Sequence, residues 1–292
     1  INSVNYEDGD GEEVHSFYTR WSTSAALGWT PDDNTLIELS AGRSDGEAAY
    51  ADRAMDGTKF ERENVALKFE KRNISSLVNK VEANVYYSYI DHVMDNYSLR
   101  SNTGMKMLNN PDRETKGGRV AVTLTPTEPL QLVLGADMKT DEHTFRDGTD
   151  YYAKPRTDDL SFDRYGVFGE ATYALDDVRR VIGGLRVDDH EVTNDKMGGI
   201  TESETLPSGF LRYENDYASG AGTWYVGLGH AERFPDYWEY MRTANLPRSG
   251  DARTFATLDP EKTTQLDVGA NWTHGEWSAS VSGFYSKVDD YI

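Results

Sequence analysis

Apolar side chains return at every second residue from Phe17 almost to the end of the chain, and that period decides most of what the chain can become. From Phe17 the odd positions read Phe17, Thr19, Trp21, Thr23, Ala25, Leu27 and Trp29, while the even ones are mostly Tyr, Arg, Ser and Gly. The pattern returns at Val81, Ala83, Val85, Tyr87 and Tyr89, at Leu130, Leu132, Leu134, Ala136 and Met138, and at Leu266, Val268, Ala270 and Trp272. A period of 2 sends alternate side chains to opposite faces of a strand. No segment carries a sustained 3.6-residue period with helix caps. The chain is expected to be all-β.

The connections alternate in length. Thr30 to Asn34, Thr125 to Pro129, Leu175 to Val178 and Thr273 to Glu276 are short and carry the Pro, Asp, Asn and Gly of tight turns. Lys71 to Ser76 and Glu214 to Gly222 read as slightly longer members of that set. Between them lie long polar stretches near 43–59, 92–113, 143–162, 190–206 and 232–259. The sum is about 12 antiparallel strands in hairpins, tight at one end and loose at the other, as in outer-membrane barrels.

Composition narrows the setting. With 50 acidic and 30 basic residues the net charge is −20, which argues against nucleic acid as a partner. Mean hydropathy is −0.69, far from what a membrane-spanning helix needs, but strands that alternate average out to polar. Aromatics at 12% speak against disorder, and the absence of Cys excludes disulfides, thiol catalysis and Cys-based metal sites within these residues.

Aromatic placement separates a membrane barrel from a soluble sandwich. Trp29, Tyr173, Trp272 and Trp277 all flank tight turns on the apolar parity, the arrangement of a girdle at one membrane interface. The expected strands of about 10 to 14 residues also exceed the usual 5 to 6 of soluble sheets. No repeat of fixed length supports a propeller. The chain opens on Ile1 without a signal peptide and stops at Val288–Ile292 in what reads as a strand or its exit, so a piece of a longer protein is expected.

Two stretches carry a family resemblance. Glu232-Arg233-Phe234-Pro235-Asp236-Tyr237-Trp238-Glu239 follows a strand rich in Gly, and Leu258 to Gly269, with Pro260-Glu261-Lys262 inside it, opens a later one. Together with Tyr165 to Tyr173 they resemble the barrel of TonB-dependent outer-membrane receptors. Through Tyr89-Ile90-Asp91-His92-Val93-Met94-Asp95-Asn96 the chain looks most like the copper receptors of that family. The resemblance implies an up-and-down transmembrane β-barrel of roughly 22 strands, of which residues 1–292 supply the middle. The plug domain, first strands and closing strands would lie elsewhere. It further implies residence in the outer membrane of a Gram-negative bacterium, contact with lipid and lipopolysaccharide, energy from the TonB complex through the plug, and copper as cargo.

Parity gives the His-x-Met segment its meaning. On the strand from Val81 the odd side chains are apolar or aromatic and face lipid, so Asn84, Tyr86, Ser88, Ile90, His92 and Met94 face the lumen. An imidazole beside a thioether suits copper, Cu(I) above all. The plain alternative is a polar His and a gap-filling Met at the base of a loop. The resemblance implies further ligands, a Cys and a Met, from the plug. Met105 and Met107, at alternate positions in the same outer loop, form a weaker candidate pair for capture.

Other candidates carry less. Glu7 to Glu13 breaks the spacing of an EF-hand, and Asp158, Asp159, Asp188 and Asp189 read as solvated faces. His15, His143, His190, His230 and His274 show no partner pattern, and no catalytic arrangement can be assembled. Two other functions fit less well: the same fold with a ferric siderophore or other metallophore as cargo, and a passive pore or adhesion barrel without a plug.

Overall fold

The computed structural model describes residues 1–244 and 258–292. Three two-residue strands, β1 (Asn2–Ser3), β2 (Tyr6–Glu7) and β3 (Glu13–Val14), precede twelve long ones. These are β4 (Tyr18–Asp32), β5 (Thr35–Ala48), β6 (Asp56–Arg72), β7 (Val78–Asp95), β8 (Leu108–Thr127) and β9 (Leu130–Asp147). They continue as β10 (Thr157–Ala174), β11 (Arg179–Asn194), β12 (Ile200–Tyr217), β13 (Gly222–Arg233), β14 (Glu261–His274) and β15 (Trp277–Asp289). One helix, α1 (Tyr237–Ala244), follows β13.

Each long strand pairs antiparallel with its sequence neighbours in one 13-stranded sheet that β1 extends beyond β4. No helix among the described residues is long and apolar enough to cross a membrane. Among the described residues β15 and the β1–β4 edge are the two ends of the sheet, so this is an open section of wall.

The pairing register fixes the faces. Leu27 lies opposite Leu39, Leu39 opposite Leu67, Leu67 opposite Val85 and Val85 opposite Gly118. Val120 then faces Ala136, and Ala136 faces Val167. These positions share one parity and form the apolar outer face, and Leu27, Val85, Val167, Leu185, Leu211 and Val281 are exposed on it. Trp29, Tyr173, Trp272 and Trp277 are exposed on the same face beside the short turns, as a lower girdle requires. The inner face is polar: Arg186 binds Asp137 and Asp188, and Arg180 and Arg212 converge on Glu214. Asn84, Tyr86 and Ser88 lie on it, and Val85, Tyr87 and Tyr89 on the outer one.

Two expectations need correction. The long strands run 12 to 20 residues, so connections expected near 43–59, 92–113, 143–162 and 190–206 shrink to 49–55, 96–107, 148–156 and 195–199. Above the apolar band both faces are polar, so alternation disappears while backbone pairing continues. The connection expected near 232–259 contains α1, and its residues 245–257 lie outside the described ones.

Candidate metal and ligand sites on the inner wall

His92 lies three residues from the end of β7, above the apolar band. Its pairing with β8 keeps one register from Lys80 to Asp95, so the inward parity that starts at Asn84 reaches His92 and Met94 without slipping. The ring leans on Phe60 of β6, directly opposite, with centroids 4.6 Å apart and planes 30° apart. Gly57 makes room for this: a Cβ there would overlap the Phe60 ring. The His92 Nε2 is buried and has no hydrogen-bond partner among the described residues. A buried imidazole nitrogen without a partner is costly unless something else binds it.

Met94 comes next on the same face, opposite Gly57 on one side and Asn109 on the other. Asn109 donates from Nδ2 to the sulfur of Met55, 3.7 Å away. A second thioether therefore reaches the wall beside Met94, from a segment far away in sequence. Nothing in the spacing of Met55 could have announced it. Val93 takes the outward parity, but packs against Leu108 and Tyr151 rather than lipid, because the 148–156 connection folds over it. Among the described residues no three His, Cys, Asp or Glu side chains are grouped to hold a metal ion, so a soft site here would draw on thioethers and on ligands from elsewhere.

Met105 and Met107 stay apart from His92, on the 96–107 connection, where Met105 is 78% exposed. Their backbones are held by Asn96, whose side chain donates to the Met105 carbonyl (3.0 Å) and accepts from the Met107 amide (2.9 Å). Arg100 of the same connection donates from Nε to the buried Asp56 at 2.7 Å, and Asp56 also accepts from the Tyr50 amide and meets His15 at 3.1 Å. Burial alone would raise the Asp56 carboxyl, but Arg100, the amide and His15 outweigh it and hold it near 2. This knot, at the loop end of β6, ties the exposed methionines to the segment that carries Met55.

A second feature escaped the sequence reading. After β13 the Phe234-Pro235-Asp236 turn leads into α1, whose start is a capping box. Asp236 Oδ1 accepts the Trp238 and Glu239 amides, and Glu239 accepts the Asp236 amide at 2.7 Å. The Asp-x-x-Glu spacing was the available signal. Tyr237 then stacks on His143 at 3.9 Å with planes 7° apart and donates to Asp159 at 2.7 Å. Burial and that carboxylate push the Tyr237 phenol up. Asp159 is buried and also binds Lys196 at 3.0 Å, and Asp188 is buried against Arg186, so neither is the solvated face expected of it.

Two cavities of about 200 and 230 Å³ flank Tyr237 and Trp238. His92 and His143 line the smaller one with Arg113, and His143 and His190 the larger one with Arg113 and Arg164. The remaining histidines have ordinary partners: His230 contacts Thr264 and Glu232, and His274 stacks on Trp272.

A polar wall carrying side chains inward, an apolar outward band and an aromatic girdle over short turns together define the class: the wall of a transmembrane β-barrel. Residues 1–292 match the family described as TonB dependent receptor-like, beta-barrel, and the chain belongs to that family. Among solved structures it is similar to the copper transporter OprC, with 43% identity and a TM-score of 0.93, over all of this chain and 50% of that one. It also superimposes on the Serratia marcescens hemophore receptor HasR, at 17% identity and a TM-score of 0.76, over 96% of this chain and 47% of that one. Among curated proteins it is 23% identical to the rhizobactin receptor of Rhizobium meliloti (strain 1021), over 62% of this chain and 30% of that protein. The chain thus spans about half the length of the solved relatives and under a third of the curated one.

Proposed function

We propose that this chain is part of the barrel wall of an outer-membrane receptor that binds copper from outside a Gram-negative cell and passes it inward. His92 and Met94 are the wall's ligands, and residues 1–292 belong to one barrel domain whose plug and remaining strands lie outside them. The reading rests above all on the unpartnered, buried Nε2 of His92 with Met94 next to it on the same inner face. It is supported by the 43% identity, along the whole chain, to a copper transporter. An imidazole and thioethers prefer copper to hard, oxygen-seeking ions. The barrel itself does no chemistry. TonB supplies the energy by acting on the plug, and the outer loops, with Met105 and Met107, supply capture.

The cargo is tested by titrating the complete receptor with Cu(I) under reductant, with Cu(II), and with a ferric hydroxamate complex. The account expects tight copper binding and no competition from the ferric complex. Tight ferric-complex binding without copper binding would move the assignment to a siderophore or other metallophore receptor.

A further inference from the structure

Pro111 stands inside the sheet, directly across from His92. Asp91 lies opposite Asp112 and Met94 opposite Asn109, which sets Pro111 against His92. Further along the same register the Asn96 amide donates to the Met107 carbonyl at 3.3 Å. Antiparallel pairs alternate between those that exchange backbone hydrogen bonds and those that do not. The pairs 96–107, 94–109 and 92–111 are therefore all of the first kind. Proline has no amide hydrogen and is normally kept out of central strands for that reason. The ladder opens at one bond, because the His92 carbonyl loses the donor that residue 111 would have supplied.

The side chain of Asn110 fills that gap. It is wholly buried, and its Nδ2 donates to the His92 carbonyl at 3.1 Å and to Asp91 Oδ1 at 2.6 Å. Its Oδ1 accepts from Arg146 Nε at 2.6 Å. A carboxylate on one side and a guanidinium on the other leave the amide a single orientation, with its nitrogen toward His92. Asp91 is held in turn by Lys59 at 2.8 Å and by Arg156, from the 148–156 connection, at 2.9 Å. Asp91, Asn110 and Arg146 carry the outward parity of their strands, above the apolar band. The peptide of His92 is thus braced from behind the wall, by side chains in place of a ladder bond.

We propose that Asn110 is a positioning residue for copper: it fixes the His92 backbone, and with it the buried Nε2, where the metal is bound. The inference rests on the copper reading. Metal–ligand distances are set to within about 0.2 Å, so a His92 backbone left free to shift weakens the bond its ring makes.

The test compares the complete receptor as wild type, as Asn110→Ala, and as the double variant Asn110→Ala plus Pro111→Ala, in which residue 111 regains its amide. Copper affinity, the copper X-ray absorption spectrum, hydrogen exchange of the 90–97 backbone and the urea midpoint are measured for each. Asn110→Ala should lose about tenfold in affinity, the lower end of what outer-shell partners of a metal site cost. Its spectrum should show a weaker nitrogen contribution, and 90–97 should exchange faster. The double variant should recover affinity, spectrum and exchange. Arg146→Gln keeps Asn110 but frees its amide to turn; it should shift all three the same way by a smaller factor, and it serves as the test if Asn110→Ala does not assemble. A lowered urea midpoint with unchanged affinity and spectrum would make Asn110 a structural brace only and overturn the proposal. A double variant as weak as Asn110→Ala would overturn it too. Wild type that binds no copper would overturn the copper reading and this proposal together, whereas copper bound equally by wild type and Asn110→Ala would overturn this proposal alone.

Discussion

Replacing Val85 with Arg asks the wall directly which face meets lipid. Val85 is the middle of the outward run Val81, Ala83, Val85, Tyr87, Tyr89, is 58% exposed, and lies between Leu67 and Gly118. Four residues separate it from either end of that run, about 13 Å along the strand at about 3.3 Å per residue. At a tilt of about 45° this is about 9 Å of depth, close to the midplane of the apolar band. The side chain leaves no cavity when it is replaced, so the cost is that of a guanidinium in hydrocarbon, about 2 to 4 kcal/mol. Snorkelling toward the level of Lys116 and Glu114 favours the lower half of that range. Ser88→Arg is the control, because Ser88 faces the polar interior opposite Asn64 and Thr115. Urea titration of the complete receptor in lipid vesicles, followed by heat-dependent gel mobility, measures both. A Val85→Arg cost within about 0.5 kcal/mol of zero, against the depth-dependent penalty expected, would refute the face assignment. So would an equal cost for Ser88→Arg, and the argument for His92 and Met94 would fall with it.

Three other outcomes follow from the same geometry. Asp56→Ala strands Arg100 at the root of the methionine loop and should cost about 3 kcal/mol locally, seen as fast proteolysis within 96–107. In the wild type the lowered Asp56 pKa contributes stability that is fully present above the ordinary carboxylate value of 3.8 and is lost as pH falls toward 2. Loop protection should therefore be flat from pH 7 to about 4 and decline below it, and a loss complete well above pH 4 would refute the role of Asp56. Gly57→Ala displaces Phe60 from under His92 and should weaken copper binding by about 10- to 100-fold without loss of folding; unchanged affinity would show that Phe60 does not orient the imidazole. Tyr237→Phe leaves the buried Asp159 with Lys196 as partner and should lower stability by about 1 to 3 kcal/mol, read from the urea midpoint.

The strands and their faces were legible because lipid on one side and polar residues on the other impose a strict period of 2 on residues such as Leu130 to Met138. Legibility ended where the lipid does. Beyond Tyr89 and Met138 both faces carry polar residues, so the upper thirds of β7 and β9 looked like loops although their backbones stay paired. His92 and Met94 could be placed on the inner wall because register is inherited along a strand from the segment that lipid has fixed. Met55, Phe60 and Gly57 could not. They reach His92 and Met94 through cross-strand pairing and an Asn109 contact, which leave no spacing in the sequence. His143 and His190 acquire a role only once α1 folds back on them, and the helix is too short for a period to reveal.

The central claim, that copper binds at the His92–Met94 wall, is tested most directly by the metal content of the purified complete receptor after copper exposure and washing. Both side chains face the lumen, so their removal exposes no polar atom to lipid. His92→Ala and Met94→Ala should stay folded, and each should lose at least the about 10- to 100-fold in affinity that an outer-shell partner costs. Wild type should emerge with a full equivalent of copper, each of these variants with little, and Met105→Ala with nearly all of it. Wild type without copper, or both wall variants with a full equivalent, would contradict the account.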